Sequence, residues 1–370
     1  MSLMDRWSSE LHALRNQGRY RSLRAPAGID FTSNDYLGYG KRFTNESSLP
    51  ISGMASRLLR GHHPIWDDVE SALATWHGAE AALMMSSGYA ANEGLLATVI
   101  EPGDWVATDE LNHACILDGL RLVRPRKFAF RHNDLNHLED GLRAEVERNR
   151  DGRERFVVTE SLFSMDGDRS DLLAVVELTE KYGAHLIVDE AHATGCYGEH
   201  GSGCVDAAGL RRRVLATVHT GGKALGVHGA YIVGTHVLKE WLVNRCRHLI
   251  FSTALPPAIG AWWLAMLARA PSDAESRAKL HANNARFRNR LLTSGVRAVG
   301  TEFVVPVILG DDEHAVAVAT QLQTRGFDVR AIRPPTVPAG TARLRISIHA
   351  DHTPAEIDEL ASTLREAVTP

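Results

Sequence analysis

Lysine is scarce in this chain: Lys41, Lys127, Lys181, Lys223, Lys239 and Lys279 are the full set in 370 residues. An excess of positive charge is missing too, since 41 Lys and Arg stand against 45 Asp and Glu for a formal net charge of -4. A chain so balanced lacks the basic face by which nucleic-acid binders hold phosphate backbones, so no nucleic acid is expected as a partner. Cysteine is rare, and Cys115, Cys196, Cys204 and Cys246 contain no CxxC pair. Thiols spread this widely through a long chain read as reduced and structural, which points to the cytoplasm. No metal-ligand set stands out, and none is expected. Long apolar runs are absent: the most apolar stretch, "ALPPAIGAWWLAMLARA", has two prolines near its start and falls short of the roughly 20 residues that span a bilayer. No membrane partner is expected. The opening "MSLMDRWSSELHALRNQ" carries acids early and no apolar core, so it reads as neither a signal nor a transit peptide.

A phosphate-gripping loop is also missing. "LIVDEAHATG" at 186–195 contains the letters DEAH of a nucleic-acid motor, but such a motor needs GxxxxGK followed by Ser or Thr upstream of that strand. The one GK lies after it, in "HTGGKALG", with Thr217 where the first glycine belongs and Ala224 where the magnesium-holding hydroxyl belongs. "GEHGSG" at 198–203 lacks the spacing of a dinucleotide loop and is read as a turn.

What is present is a βαβ rhythm. Short apolar runs, "WVATD" 105–109, "KFAFRH" 127–132, "FVVTES" 156–161, "HLIVDE" 185–190, "VLATVHT" 214–220 and "AYIVG" 230–234, are separated by helical stretches such as "DLLAVVELTEKYG". This predicts an α/β fold with a mostly parallel central sheet. Beyond "STALPPA" the pattern changes to one long helical region, 258–294, and then to strands "VVPVILG" 304–310, "DVRAI" 328–332 and "RLRISIH" 343–349, a smaller α+β domain. Met4, Trp7, Leu11 and Leu14, spaced at three and four, predict an amphipathic N-terminal helix laid on the body or on a partner subunit. The expected division is an N-terminal helix and arm over 1–45, a large cofactor-binding domain over 46–255 and a small C-terminal domain over 256–370.

The chemistry is expected at the carboxyl edge of the sheet. Asp189 ends one strand, His192 follows three residues on, and Lys223 stands in a glycine-flanked turn after the next strand, the one lysine placed among small residues after a predicted strand. A lysine amine in an enclosed site can form a Schiff base with an aldehyde cofactor. A buried acid can keep the pyridine nitrogen of pyridoxal phosphate protonated, so that the ring acts as an electron sink. "MMSSGYAANEGL" 84–95, an apolar run entering a helix through small residues, offers amides and hydroxyls suited to a phosphate.

At this point the chain resembles the α-oxoamine synthase family of pyridoxal-phosphate enzymes, nearly end to end. The resemblance rests on "SNDYLGY" 33–39, "ASRLLRG" 55–61, "SSGYAAN" 86–92, "NHACILDG" 112–119, "RHND" 131–134, "VVTESLFSMDGD" 157–168, "DEAHATG" 189–195, "HTGGKALG" 219–226, "RHLIFSTALPP" 247–257 and "RPPTVPAGTARLRIS" 333–347. It implies a fold-type I transferase fold like that of aspartate aminotransferase, with a small C-terminal domain. RHND, the long RPPT string and the chain length look most like the branch that joins L-alanine to a pimeloyl thioester, on coenzyme A or acyl-carrier protein, in biotin synthesis. The alternative is glycine or serine with a different acyl thioester. Motif by motif, the resemblance makes Lys223 the Schiff-base lysine, Asp189 the partner of the ring nitrogen, His113 the residue stacked on the ring, and His192, helped by Ser164, the partner of its phenolic oxygen. It gives the phosphate to Gly88, Tyr89 and Thr220, with Thr253 reaching in from the other subunit of a homodimer. It puts the amino-acid carboxylate on Arg345, with Arg21, Asn34, Arg333 and Thr336 as further substrate contacts. Strand alternation places Arg343 on the same face as Arg345, so that one of the two is expected to be structural.

Overall fold

The computed structural model describes residues 3–21, 25–40, 47–148 and 152–368. In chain order its strands are β1 (Ile29–Asp30), β2 (Ala81–Met85), β3 (Trp105–Asp109), β4 (Arg126–Phe130), β5 (Arg155–Glu160), β6 (His185–Asp189), β7 (Ala216–Thr220), β8 (Ala230–Gly234), β9 (Val304–Gly310), β10 (Phe327–Asp328), β11 (Arg330–Ile332) and β12 (Ala342–Ser347). The chain divides into two compact units, Asp35–Ser164 with Arg169–Ala278, and Met165–Asp168 with the chain up to Asn34 and from Lys279 onward.

The larger unit is built on a seven-stranded sheet of order β2-β8-β7-β6-β5-β3-β4. β8 runs antiparallel to both its neighbours, and the remaining pairs are parallel. Its strands read as apolar runs because both faces are covered. The two-residue period of a strand sorts neighbours onto opposite sides: Val106, Phe156, Val158 and Ile187 join one core cluster, while Ala107, Val157, Leu186 and Val188 join the other. Parallel order brings Asp109, Glu160, Asp189 and Thr220, each the last residue of its strand, to one edge.

The long helical region expected over 258–294 is two helices, Pro257–Arg269 and Ala274–Ser294. Pro271 lacks the amide that would continue the first, and the Asp273 carboxylate accepts from Ser276 N–H at 3.0 Å to start the second. The first helix belongs to the larger unit: a Cβ on Gly260 would meet Ile65 at 2.8 Å, and buried Trp263 donates to the His228 carbonyl at 3.0 Å. The compact units therefore part after Ala278, rather than at the expected 255.

In the smaller unit, β11, β12 and β9 form an antiparallel sheet. The stretch expected as one strand over 328–332 is split, since β10 pairs in parallel with β1 while β11 pairs with β12. That β1 pairing ties residues 29–30 to the C-terminal part of the chain, so the segment expected as a separate arm over 1–45 is divided after Asn34. The N-terminal helix, Leu3–Asn16, has the expected apolar stripe, and none of its residues is buried against the described residues.

His352 also belongs to this unit. Its ring stacks on Phe31 at 3.9 Å, accepts from His349 N–H at 3.1 Å and donates to the Asp30 carbonyl at 2.8 Å. Burial, aided by His349, depresses its pKa to about 4. The unfolded chain therefore binds the proton first, and stability contributed by the neutral ring is lost as the pH falls from about 6.5 towards 4. Thermal midpoints measured across that window should drop, and His352→Gln should remove on the order of 2 kcal/mol of that dependence. Identical slopes for the two proteins would refute the assignment.

Candidate active site

The edge of the larger unit's sheet gathers several ionisable groups within a few residues of strand ends. β6 delivers Asp189, nearly fully buried. One carboxylate oxygen accepts from Ala191 N–H at 2.8 Å, the other from the Asn92 side-chain amide at 2.8 Å. Each oxygen keeps a lone pair for a further donor. Asn92 lies on the helix Gly88–Val99, one turn after its start, so the "SSGYAAN" segment orients the acid as well as opening a helix. Sequence reasoning quoted that segment but did not single out Asn92; its place one helical turn after the glycine was the available signal.

β7 ends at Thr220, and the turn to β8 carries Lys223. The Lys223 Nζ lies 2.7 Å from His192 Nε2, and the other ring nitrogen of His192 lies 2.7 Å from the Tyr36 hydroxyl. His192 and Tyr36 are both buried. The charge of Lys223 acts on Glu160, His113 and Cys115 at this edge, and the charge of Asp189 acts on the same three groups in the opposite sense.

His113 caps the helix Ala114–Val123. Its Nδ1 accepts from Cys115 N–H at 3.3 Å and lies 3.0 Å from the Cys115 thiol, so the neutral ring carries its proton on Nε2. Burial and the charge of Lys223 hold His113 below the usual histidine range, against the opposite pull of Asp189. Burial also raises the Cys115 thiol, which keeps its proton and can donate it to Nδ1. The backbone of His113 is itself held, its N–H donating to Glu160 at 2.6 Å. Glu160 sits opposite Asp189 in the β5–β6 register, and burial reinforced by that carboxylate pushes its pKa well above the ordinary value. Glu160 was not foreseen as a site residue because its contact joins a strand to a separate helix start, and Cys115 was not because its local contact with His113 carries no signal in residue type or spacing.

The expected phosphate residues meet beside this cluster. Ser87 caps the helix through its hydroxyl, which accepts from Ala90 N–H at 3.1 Å, and Gly88 is the first helical residue. A Cβ on Gly88 would stand 3.6 Å from the Thr220 side chain, so glycine leaves the helix N-terminus open next to that hydroxyl. Tyr89 is half exposed, hydrogen-bonds Asp118, and has its pKa raised to about 12 by that bond and by burial. Ser164 is a half-buried turn residue in the segment that follows β5, where Ser161 N–H donates to the Asp189 carbonyl at 2.9 Å. Thr253 lines a small cavity of about 20 Å³ with Arg57 and Ser86 of its own chain, and no side chain caps the helix that follows it.

The other expected residues lie in the smaller unit. Arg345 is buried and donates to the Ser347 hydroxyl at 2.9 Å and to the Asn34 side-chain oxygen at 3.0 Å, both neutral groups. Arg343 instead pairs with Asp166 at 2.8 Å and with the Met165 carbonyl, which marks it as the structural one of the two. Arg21, Arg333 and Thr336 line a single cavity of about 640 Å³, where Arg21 donates to the Thr336 hydroxyl at 3.1 Å. Two further arginines of that cavity are neutralised, Arg19 by Asp312 and Arg330 by Asp328. Arg21 and Arg333 pair with no carboxylate among the described residues, which leaves the cavity a net site for an anion, with Val316, Ile332 and Pro334 as its apolar wall.

Pyridoxal phosphate is a group these residues fit: a lysine amine, a carboxylate held with free lone pairs, and an open helix N-terminus beside a threonine hydroxyl occur together at one sheet edge. Among known proteins, residues 26–364 match the model of the family described as aminotransferase class I and II. The 8-amino-7-oxononanoate synthase of Chlorobaculum parvum is 41% identical over 395 aligned residues, 99% of each chain. The enzyme of that name from Geobacter sulfurreducens is 40% identical over 380, covering 96% of each. A solved serine palmitoyltransferase from S. paucimobilis with a bound PLP–myriocin aldimine superposes with a TM-score of 0.88 at 29% identity, over 99% of this chain and 98% of that one. The crystal structure of 8-amino-7-oxononanoate synthase from Francisella tularensis gives a TM-score of 0.77 at 26% identity, over 92% and 97%.

Proposed function

The chain belongs to the aminotransferase class I and II family, and from that premise we propose that it is an α-oxoamine synthase that condenses L-alanine with a pimeloyl thioester. The products are 8-amino-7-oxononanoate, carbon dioxide and free thiol, a step of biotin synthesis. The protein is an enzyme, an acyltransferase, and its cofactor is pyridoxal phosphate. The observation that carries the reading is the Lys223 amine hydrogen-bonded to His192 at the strand edge that also holds Asp189.

The cofactor, when bound, supplies an electron sink for the carbanion formed at the amino-acid α-carbon. Lys223 holds it covalently and then serves as the base that takes the α-proton. Asp189, oriented by Asn92 and Ala191, keeps the ring nitrogen protonated. His113, whose neutral ring carries its proton on Nε2, would stack on the ring and offer that N–H as a donor, while His192 and Ser164 would serve the phenolic oxygen. Gly88, Tyr89 and Thr220 hold the phosphate. Arg345, with a planar fork suited to a carboxylate, takes the carboxylate of alanine, and Asn34 fixes its orientation. Arg21 and Arg333 take the terminal carboxylate of the acyl chain.

That last role favours a dicarboxylic acyl group over the uncharged chain of a palmitoyltransferase, because two guanidinium groups with no carboxylate partner among the described residues line a cavity with an apolar wall. We place the enzyme in the cytoplasm as a homodimer, with Thr253 serving the partner's phosphate. The exposed stripe of the N-terminal helix and exposed Ile51, Met54, Leu59 and Phe251 support a partner surface. The four cysteines are free, as a reducing compartment requires. No helix of the described residues is long and apolar enough to cross a membrane.

The test is a substrate panel. Alanine, glycine and serine are each offered with pimeloyl and heptanoyl thioesters, on coenzyme A and on acyl-carrier protein. Alanine with a pimeloyl thioester should give the highest kcat/KM. Arg333→Ala should raise KM for the pimeloyl thioester about 10-fold or more and leave heptanoyl unchanged. Faster turnover with serine or glycine, or an equal effect on both thioesters, would refute the reading.

A further inference from the structure

Tyr36 belongs to the "SNDYLGY" segment, for which the proposed function names a role only at Asn34. Its ring is fully buried in the larger unit, and its hydroxyl lies 2.7 Å from His192 Nδ1. His192 Nε2 lies 2.7 Å from Lys223 Nζ. Phenol, imidazole and amine thus form a continuous chain of short contacts, with the imidazole in the middle.

A neutral imidazole carries one proton and has one bare nitrogen. Which nitrogen is bare is set by the partner on the other side of the ring. An ammonium at Lys223 would donate to Nε2 and set one tautomer. A phenol, with a pKa near 10, is a stronger donor than a neutral imidazole N–H and sets the other tautomer when the shared hydrogen of the first contact belongs to the tyrosine. Nδ1 is then the acceptor, and the ring proton must sit on Nε2. That N–H points at Lys223 and needs a lone pair to receive it. An ammonium has none to offer, whereas a neutral amine has one.

We propose that Tyr36 is a positioning residue that fixes the tautomer of His192, so that Nε2–H is presented to Lys223 and favours its neutral, nucleophilic amine. The proposal rests on the assignment of Lys223 as the cofactor lysine. Among the described residues, Glu160, His113 and Cys115 also feel the charge of this amine, and Asp189 acts on the same three groups. None of them touches the Tyr36 hydroxyl in the contact described, so removing that hydroxyl changes the His192 tautomer and leaves their charges in place. The same Nε2–H would serve the cofactor's phenolic oxygen in the role proposed for His192.

Tyr36→Phe tests this, since it keeps the buried ring and deletes one oxygen. Cofactor-free protein is mixed with pyridoxal phosphate across a pH series, and the rate at which Lys223 captures the aldehyde is followed by absorbance. The half-maximal point should move up by about one pH unit in Tyr36→Phe, because the amine loses the donor that favours its neutral form. With the loaded enzyme and no thioester, exchange of the alanine α-hydrogen into D2O should slow about 10-fold, with alanine affinity unchanged. Superimposable capture curves would overturn the proposal. Should the variant not fold, the wild type decides: 15N-histidine spectra, with His192 assigned through His192→Asn, should show a protonated Nε2 and a bare Nδ1, and the opposite pattern overturns it. If Lys223→Ala still captures the aldehyde covalently, the lysine assignment itself fails, an outcome distinct from either result for Tyr36.

Discussion

Lys223→Ala protein is expected to be colourless, while the wild type shows the yellow absorbance of lysine-bound pyridoxal phosphate. Turnover should fall by about 10⁴-fold, because one substitution removes both the covalent tether and the base that takes the α-proton. The fold should survive. The turn that carries the lysine is held by its neighbours: Ala224 and Leu225 are buried, and Gly226, at a φ of +62°, lies so close to Gly40 that a Cβ would meet its backbone at 2.7 Å. Lys223→Arg should fail almost as badly, since a guanidinium stays protonated near neutral pH and serves as neither nucleophile nor base. Absorbance spectra, cofactor stoichiometry and thermal midpoints of the three proteins check this together. Colour or more than a tenth of wild-type turnover in the alanine variant would place the covalent chemistry on another residue.

Asp189→Asn should separate binding from chemistry. The side chains are nearly isosteric, and the new amide's oxygen can still accept from one of the two donors, Ala191 N–H or the Asn92 amide, while its NH2 faces the other. Cofactor uptake should therefore persist. An amide has no negative charge with which to keep the ring nitrogen protonated, so the electron sink is weakened and turnover should fall by about 10²- to 10³-fold. Asn92→Ala, which removes one of the two groups that aim the carboxylate, should cost less, about 10-fold, and lower kcat rather than cofactor affinity. Unchanged turnover in Asp189→Asn would mean that another group protonates the ring.

Much of the fold was legible in the chain. The apolar runs that predict strands coincide with β3, β8 and β9 and lie within two residues of β4, β5, β6 and β7 at each end. A strand buried on both faces has no choice but to be apolar throughout, so its signal is strong and local. The misread region, 258–294, failed for a local reason as well: Pro271 interrupts a pattern whose apolar spacing continues on both sides. The compact units divide away from the expected boundaries for a non-local one. Gly260 and Trp263 are recruited by Ile65 and Tyr231, and no composition change near residue 256 reports those contacts.

The candidate site divides in the same way. Lys223, Asp189 and His192 stand out because their residue types at strand ends are unusual beside the small residues around them. Asn92, Glu160 and Tyr36 do not, because each acts through a partner 47 or more residues distant, and Cys115 does not because its contact with His113 shows only in the geometry. Arg343 and Arg345 illustrate the limit: alternation puts them on one face, and only the ion pair of Arg343 with Asp166 tells them apart.

By itself, the order of residues determined the strands, the edge at which they deliver their polar ends, and the reactive set carried there, since periodicity and residue chemistry are properties of short segments. Tertiary structure alone decided which carboxylate is aimed, which imidazole nitrogen keeps its proton, and which arginines remain unneutralised. Hydrogen bonds and Coulomb interactions act over a few ångströms, and it is folding that brings groups far apart along the chain within that range.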